Sequence, residues 1–249
     1  MYNFRGISRP IATPMTNSDQ QSYRRMEAFK FLLVEIGSVL GKGTLQLLNS
    51  AVSYLEVGHW MKAKGFARPR RVKGRWELFQ QIASQVADKE VLYLEFGVSH
   101  GRSMRLWSSL LKNPKSLLHG FDTFEGLPEK WNEEAPPGTY SQKGQAPEID
   151  DPRVTFFKGL FEATLPQYVV PEHERLIINI DCDLYSATSF VLERLAPQVR
   201  AGTYLYFDEF ADRNNEMRAF DEFLSASGKK FELIGATKAF AQVAFESRG

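Results

Sequence analysis

The chain has 249 residues, 43% of them hydrophobic, which is ordinary for a globular protein that buries a sizeable core. Lys and Arg total 31 against 30 Asp and Glu, so the overall charge gives no reason to expect nucleic acid or an anionic membrane as a partner. The single cysteine, Cys182, excludes an internal disulfide framework and favours a reducing compartment, so we expect the protein to be cytoplasmic.

The N-terminal third predicts an arm followed by helices. Residues 1–22 are polar and lack the apolar block of a signal peptide, so we expect a flexible arm. Over residues 23–61 apolar side chains recur at helical spacing, which predicts two helices with a break near Gly41 and Gly43. Charged residues interrupt this stretch too often for a membrane span of about 20 residues. The apolar faces need cover from the core domain or from a second subunit, so a homodimer is one expectation.

A basic stretch without acids follows, and its function is open. It is either a solvated linker or a site for an acidic or phosphorylated substrate. A nucleic-acid patch, as in an RNA methyltransferase, calls for interleaved aromatic residues and a strongly basic domain, which the balanced chain lacks. We place the domain boundary at its end, with a helical extension over residues 1–75 and a main domain over residues 76–249. The basic residues are Lys62, Lys64, Arg68, Arg70, Arg71, Lys73 and Arg75.

The main domain alternates helices with short apolar strands, a pattern that indicates a parallel sheet covered on both faces. The predicted helices cover residues 76–87, 100–111, 187–195 and 215–227, and the predicted strands cover residues 91–96, 117–122, 154–158, 176–181 and 203–208.

The C-terminal end distinguishes between nucleotide-binding folds. Residues 231–235 and 239–245 are strand-like, and their connection is too short for a parallel crossover of a dozen or more residues. We therefore predict a mostly parallel seven-stranded sheet that ends in an antiparallel hairpin. A dehydrogenase half does not require such a hairpin, whereas a Rossmann-like α/β fold closed in this way resembles the class I methyltransferases.

The turn after the first core strand is a candidate cofactor site, since ligands of open α/β sheets bind at the carboxyl ends of the strands. Its glycines allow a ligand to approach the backbone closely. The helix that follows directs its unpaired N-terminal N–H groups into the same space. That suits the carboxylate of S-adenosylmethionine or a phosphate. An acid at the next strand end can bind ribose hydroxyls of either NAD or S-adenosylmethionine. The candidate cofactor residues are Glu95, Gly97, Ser99, Gly101, Ser103, Asp122 and Asp181.

Acidic pairs follow two later strands, Asp181 with Asp183 and Asp208 with Glu209. If those strands are neighbours, their ends lie roughly 5 Å apart and the carboxylates repel one another. A hard cation such as Mg²⁺ relieves that repulsion, so we expect Asp183, Asp208 and Glu209 to bind a metal. The alternative is acidic loops that face water or cap helices. In the metal hypothesis the ion lowers the pKa of a substrate hydroxyl, and a nearby acid, Asp181 or Asp183, accepts the proton.

Several sequence blocks, in the same order, resemble the macrocin O-methyltransferase family. They are Glu95-Phe-Gly-Val-Ser-His-Gly101, Gly120-Phe-Asp-Thr-Phe-Glu-Gly-Leu-Pro128, Lys158-Gly-Leu-Phe161, Thr164-Leu-Pro166, Asp181-Cys-Asp-Leu-Tyr-Ser-Ala-Thr188 and Ala201-Gly-Thr-Tyr-Leu-Tyr-Phe-Asp-Glu209. The resemblance runs from about Arg75 to the C-terminus. It implies a class I fold, S-adenosylmethionine as methyl donor, Mg²⁺, and transfer to sugar hydroxyls on natural products.

By position, Asp183 and the Asp208–Glu209 pair match the metal motifs of that family, and Glu95, Gly97 and Asp122 match its cofactor positions. The chain departs from the family pattern in three places: Cys182 replaces a glycine, Ser186 stands where an acid is frequent, and Glu209 replaces an aspartate.

The stretch over residues 125–151 is long, polar and rich in proline, and such loops in a compact domain are usually functional or disordered. We predict a lid over cofactor and acceptor, with Trp131 and Tyr140 able to contact a sugar. An NAD-dependent oxidoreductase and a non-catalytic methyltransferase-like binding protein are the other interpretations of the chain. The oxidoreductase interpretation explains Gly97 and Asp122, but it explains neither the acidic pairs nor the hairpin.

Overall fold

The computed structural model describes residues 16–66 and 69–249; residues 1–15 of the expected arm and Arg68 of the basic stretch lie outside them. Helix α1 spans Asn17–Val39 and so begins within the stretch where an arm was expected. The reason is a capping box: the Thr16 hydroxyl accepts the N–H of Asp19 at 3.3 Å, and the Asp19 carboxylate accepts the N–H of Thr16 at 3.1 Å. The polar composition of residues 1–22 predicts an arm, whereas Thr16 and Asp19 are a local sequence signal for the start of a helix.

Helix α2 spans Lys42–Ala63, so the prediction of two helices with a break near Gly41 is confirmed. The chain divides into two compact units, Met1–Ala51 and Val52–Gly249. No described residue of α1 is buried. None of the helices among the described residues is long and apolar enough to cross a membrane. Large exposed apolar side chains of the first unit include Tyr23, Met26, Phe29, Phe31, Leu32, Leu33, Val34, Ile36, Leu45, Leu47 and Leu48.

The second unit contains an eight-stranded sheet in the order β1-β7-β8-β6-β5-β2-β3-β4. All pairings are parallel except those of β8 with β6 and β7, so the predicted terminal hairpin is confirmed. The strands are β1 (Arg71–Val72), β2 (Val91–Phe96), β3 (Leu117–Asp122), β4 (Val154–Lys158), β5 (Arg175–Ile180), β6 (Tyr204–Phe207), β7 (Phe231–Thr237) and β8 (Val243–Ser247).

Strand β1 is the addition to the seven predicted strands. It pairs Arg71 with Ala236 and Val72 with Thr237 of β7. Two residues are too few to show the alternation of apolar and polar side chains that predicts a strand. This strand is recognised only by its pairing with β7.

Helices cover both faces of the sheet, as the alternation predicted. They are α3 (Arg75–Val86), α4 (Arg102–Leu110), α5 (Phe161–Thr164), α6 (Tyr185–Leu195) and α7 (Glu216–Ser227). Successive strand residues point to opposite faces, so Tyr93 joins one buried cluster with α3 and α4, while Leu94 and Phe96 join another with α6 and α7. The core strands are buried on both sides, which explains their nearly continuous apolar sequences.

The order of the strands creates the site. From β2 the chain runs outward through β3 and β4, then returns to β5 on the other side of β2 and continues to β6. The loops that follow β2 and β5 therefore diverge. Such a switch point leaves a crevice at the carboxyl ends of the strands, and this is where open α/β sheets bind ligands.

Candidate functional site

A cavity of about 470 Å³ opens at the carboxyl ends of β2, β3, β5 and β6, within the usual volume of ligand sites. It brings together most of the residues that the sequence nominated: Glu95, Gly97, Ser99, Ser103, Asp122, Asp181, Asp183, Asp208 and Glu209. Gly101 is not among the lining residues. It precedes α4 with a φ of +70°, and a Cβ at this position would meet the side chain of Pro147 at 2.8 Å. The glycine thus permits the turn and its packing against Pro147.

Asp122 organises the turn after β2. One of its carboxylate oxygens accepts the N–H groups of Val98 and Ser99, both at 2.8 Å, and the other accepts the N–H of Phe124 at 2.7 Å. A carboxylate offers about four acceptor positions, so most of its capacity is directed at backbone. Asp122 thereby links the end of β3 to the cofactor turn.

Gly97 allows the turn after β2 to touch the end of β5. Its φ is +90°, a conformation that side chains of L-residues rarely adopt. A Cβ at this position would lie 1.8 Å from the carbonyl oxygen of Asp181. Only glycine fits at this position. The backbone of the turn after β2 is therefore in direct contact with the backbone of Asp181.

Glu95 is fully buried beneath the cavity. Its carboxylate accepts the hydroxyl of Tyr93 at 2.9 Å, and that hydroxyl accepts the amide of Asn179 at 2.8 Å. Burial raises the pKa of Glu95 to about 8, an effect that the Tyr93 hydrogen bond opposes in part. Burial therefore favours the protonated form of this carboxyl, which can donate a hydrogen bond to a ligand.

The two acidic strand ends are adjacent, as predicted, because β5 pairs with β6 and sets Ile180 beside Phe207. Arg75, the first residue of α3, lies between them. Its guanidinium donates to Asp208 at 2.5 Å and to Asp181 at 3.4 Å. Asp208 also accepts the hydroxyl of Tyr206 at 2.5 Å, on its other oxygen. Sequence analysis missed the role of Arg75, which stood out there only as the end of a basic run.

Asp183 and Glu209 are the unpaired acids of the site. Neither carboxylate takes part in a hydrogen bond or ion pair within residues 16–66 and 69–249. Burial, followed by repulsion from Asp208, raises the pKa of Asp183 to about 6 and that of Glu209 to about 7. Asp183 also has a φ of +64°, which is rare for a residue with a side chain. Across the described part of the chain, no three His, Cys, Asp or Glu side chains are arranged to hold one ion together.

The predicted lid lies over this cavity in part. Gly126, Leu127, Pro128 and Tyr140 line it, whereas Trp131 is not among the lining residues. The Trp131 indole instead donates to Asp212 at 3.1 Å. A second tie joins the lid to α6, where the Ser186 hydroxyl donates to Glu129 at 2.5 Å.

The sheet order, the terminal hairpin and the position of the cavity define a class I methyltransferase fold, and solved structures share it. The O-methyltransferase NovP is 23% identical with a TM-score of 0.53, over 69% of this chain and 78% of NovP. The calicheamicin methyltransferase CalS11 is 20% identical with a TM-score of 0.53, over 98% of this chain and 99% of CalS11.

The model of the macrocin-O-methyltransferase (TylF) family matches residues 66–236, and the chain belongs to this family. A curated relative from Streptomyces olivaceus, 8-demethyl-8-(2,3-dimethoxy-alpha-L-rhamnosyl)-tetracenomycin-C 4'-O-methyltransferase, is 36% identical over 61 residues. That match covers 24% of this chain and 23% of the relative, so the chain spans less than a quarter of it.

Proposed function

We propose that the protein is an S-adenosylmethionine-dependent O-methyltransferase that methylates a sugar hydroxyl of a natural product, and that it works in the cytoplasm. The observation that carries the proposal is one cavity that holds both the glycine turn after β2 and the acids that follow β5 and β6. Membership of the macrocin-O-methyltransferase family supports it. NovP and the tetracenomycin enzyme, both O-methyltransferases, support the same reaction.

The methyl donor, S-adenosylmethionine, fits the half of the cavity that the turn after β2 forms. The first amides of α4 lack intrahelical acceptors, and Arg102 adds a positive charge to the lining, so both suit the methionyl carboxylate. The protonated Glu95 and the remaining acceptor capacity of Asp122 suit polar groups of the cofactor. Ser99 and Ser103 supply further hydroxyls at the same wall.

The donor set fits a Mg²⁺ ion in part. Asp183 and Glu209 are free carboxylates whose mutual repulsion a divalent cation would relieve. Asp208 would complete the set, although both its oxygens are engaged by Arg75 and Tyr206. A bound Mg²⁺ supplies Lewis acidity that lowers the pKa of a coordinated hydroxyl.

Asp181 is the proton acceptor in this proposal. Its carboxylate lies in the cavity 3.4 Å from the guanidinium of Arg75, and that positive charge favours the ionised form that can accept a proton. As the acceptor oxygen bonds to the methyl carbon, the bond from that carbon to sulfur breaks. The hydroxyl proton passes to Asp181, and S-adenosylhomocysteine leaves. Asp183 and Glu209 orient the hydroxyl, and Tyr140 lines the acceptor side.

The exposed apolar residues of the first unit support a homodimer. Side chains as large as Phe31 (66% exposed) and Leu47 (70% exposed) face water in the single chain, and patches of this kind commonly mark interfaces. We expect light scattering to give the mass of a dimer. A Phe31→Glu, Leu47→Glu double variant should shift the mass towards a monomer, and a monomeric wild type would contradict the assignment.

Calorimetric titration with S-adenosylhomocysteine, with and without Mg²⁺, tests the central proposal, with NAD titrated beside it. We expect binding of S-adenosylhomocysteine and, in a separate assay with S-adenosylmethionine, methyl transfer to a glycosylated hydroxyl acceptor, which Asp181→Asn should largely lose. Binding of NAD instead would favour an oxidoreductase. Binding of S-adenosylhomocysteine without transfer to any sugar acceptor, at any metal concentration, would favour a non-catalytic binding protein.

A further inference from the structure

Arg75 puts a positive charge at the place where the acidic strand ends converge. Its guanidinium reaches Asp208 at 2.5 Å and Asp181 at 3.4 Å, so one group bridges the residues that follow β5 and β6. The Asp208 side chain is 3% exposed, and its second oxygen is held by the Tyr206 hydroxyl. Each oxygen keeps a further lone pair, but an ion that binds the oxygen held by Arg75 would lie beside the positive charge of the guanidinium.

The remaining charge of the site still favours a cation. Four carboxylates line this end of the cavity, those of Asp181, Asp183, Asp208 and Glu209, and Arg75 neutralises one charge. A divalent cation would neutralise more of the negative charge of these carboxylates, because it carries two positive charges and prefers oxygen ligands. The guanidinium and the ion would then seek the same oxygen of Asp208, and like charges at contact distance repel.

We infer that Arg75 competes with the divalent cation for Asp208, so that metal binds fully only when the guanidinium withdraws. The inference rests on the proposed function, because it takes the metal site from it. The side chain has a path for withdrawal: it is 32% exposed, and its guanidinium carbon lies 5.7 Å from the ring of Trp76, which is itself partly exposed. Arg75 is thus a positioning residue that sets metal affinity.

Metal binding to the full chain tests this without any methyl transfer. We would titrate Mn²⁺ into wild type, Arg75→Gln and Arg75→Lys, follow free Mn²⁺ by electron paramagnetic resonance, and displace it with Mg²⁺. Arg75→Gln should bind Mn²⁺ at least tenfold more tightly than wild type. Arg75→Lys should gain less, because it keeps the charge but cannot bridge two carboxylates in a planar fork. Arg70→Gln is the matched control, since it removes an exposed arginine of the same segment outside the cavity.

A second substitution tests whether the tighter Mn²⁺ binding depends on Asp208. Adding Asp208→Asn to Arg75→Gln should abolish the tighter binding, whereas Asp208→Asn alone should change Mn²⁺ affinity much less. Circular dichroism confirms that each variant is folded, and Arg75→Lys keeps the test valid should Arg75→Gln unfold. Equal or weaker Mn²⁺ binding by both Arg75 variants would overturn the inference and leave the metal site intact. Absence of Mn²⁺ binding in every variant would overturn the inference and the metal assignment together.

Discussion

The carboxylate of Asp122 accepts the N–H of Ser99 at 2.8 Å, so the end of β3 holds the turn that follows β2. Asp122→Asn would present an amide N–H₂ to one set of backbone N–H groups and leave them unpaired. An unmet buried donor costs about 1–3 kcal/mol. We expect affinity for S-adenosylhomocysteine to fall by about tenfold or more, which is about 1.4 kcal/mol. Calorimetry measures it, and Asp88→Asn, an exposed aspartate elsewhere, is the control. Unchanged affinity would show that the turn holds its shape without the carboxylate.

Gly97 and Gly138 form a natural pair for testing the contact between the turn and β5. Both have positive φ, +90° and +84°, so alanine is strained at either position, by about 1 kcal/mol. At Gly97 the added Cβ would also lie 1.8 Å from the Asp181 carbonyl, whereas at Gly138 it meets nothing within 4 Å. We expect Gly97→Ala to lose cofactor binding and several kcal/mol of stability, and Gly138→Ala to lose about 1 kcal/mol. Equal losses in urea unfolding would contradict the predicted clash.

His119 should make the fold sensitive to mild acid. Burial lowers its pKa to about 4, and its ring accepts from or donates to the Tyr168 hydroxyl at 2.6 Å. In the unfolded chain the imidazole has a pKa near 6.5, so between pH 6.5 and 4 the unfolded state binds the proton and the native state does not. Stability therefore falls as the pH drops through that range. Urea unfolding of His119→Gln should show a flatter dependence there, and an identical slope would refute the assignment.

Trp131 ties the lid through its indole N–H, 3.1 Å from Asp212. Trp131→Phe keeps an aromatic ring but removes the donor, at a cost of about 1 kcal/mol for one hydrogen bond. Because Trp131 does not line the cavity, we expect KM for the acceptor to rise about fivefold while affinity for S-adenosylhomocysteine stays constant. Steady-state kinetics and calorimetry separate the two quantities. A parallel loss of cofactor affinity would place the lid's effect on the donor instead.

Most of the sheet follows from local sequence, because a buried strand needs an apolar run such as that of β2 and a short connection forces the β7–β8 hairpin. The neighbouring ends of β5 and β6 follow from the alternation of strands and helices. By contrast, β1 has two residues and exists through its pairing with β7.

Parts of the site depend on tertiary contacts that no local pattern carries. Arg75 meets Asp181 and Asp208 across separations of 106 and 133 residues. In sequence it is indistinguishable from the other basic residues of its segment. Gly101 stays a predicted cofactor residue, and the fold adds a close approach to the side chain of Pro147 that the motif did not predict.

The contact between Gly97 and the Asp181 carbonyl joins the turn after β2 rigidly to Asp181, the proposed proton acceptor. A shift of the turn by a few tenths of an ångström must move the β5 end, because close-packed backbone transmits displacement. The two halves of the cavity therefore cannot be reshaped independently near this point. A change in the preferred methyl acceptor is easier to obtain at the lid and at residues such as Tyr140 and Ser186, which lie outside the contact between Gly97 and Asp181. An engineered variant with a new acceptor should carry its substitutions there and leave residues 95–99 and 180–183 untouched.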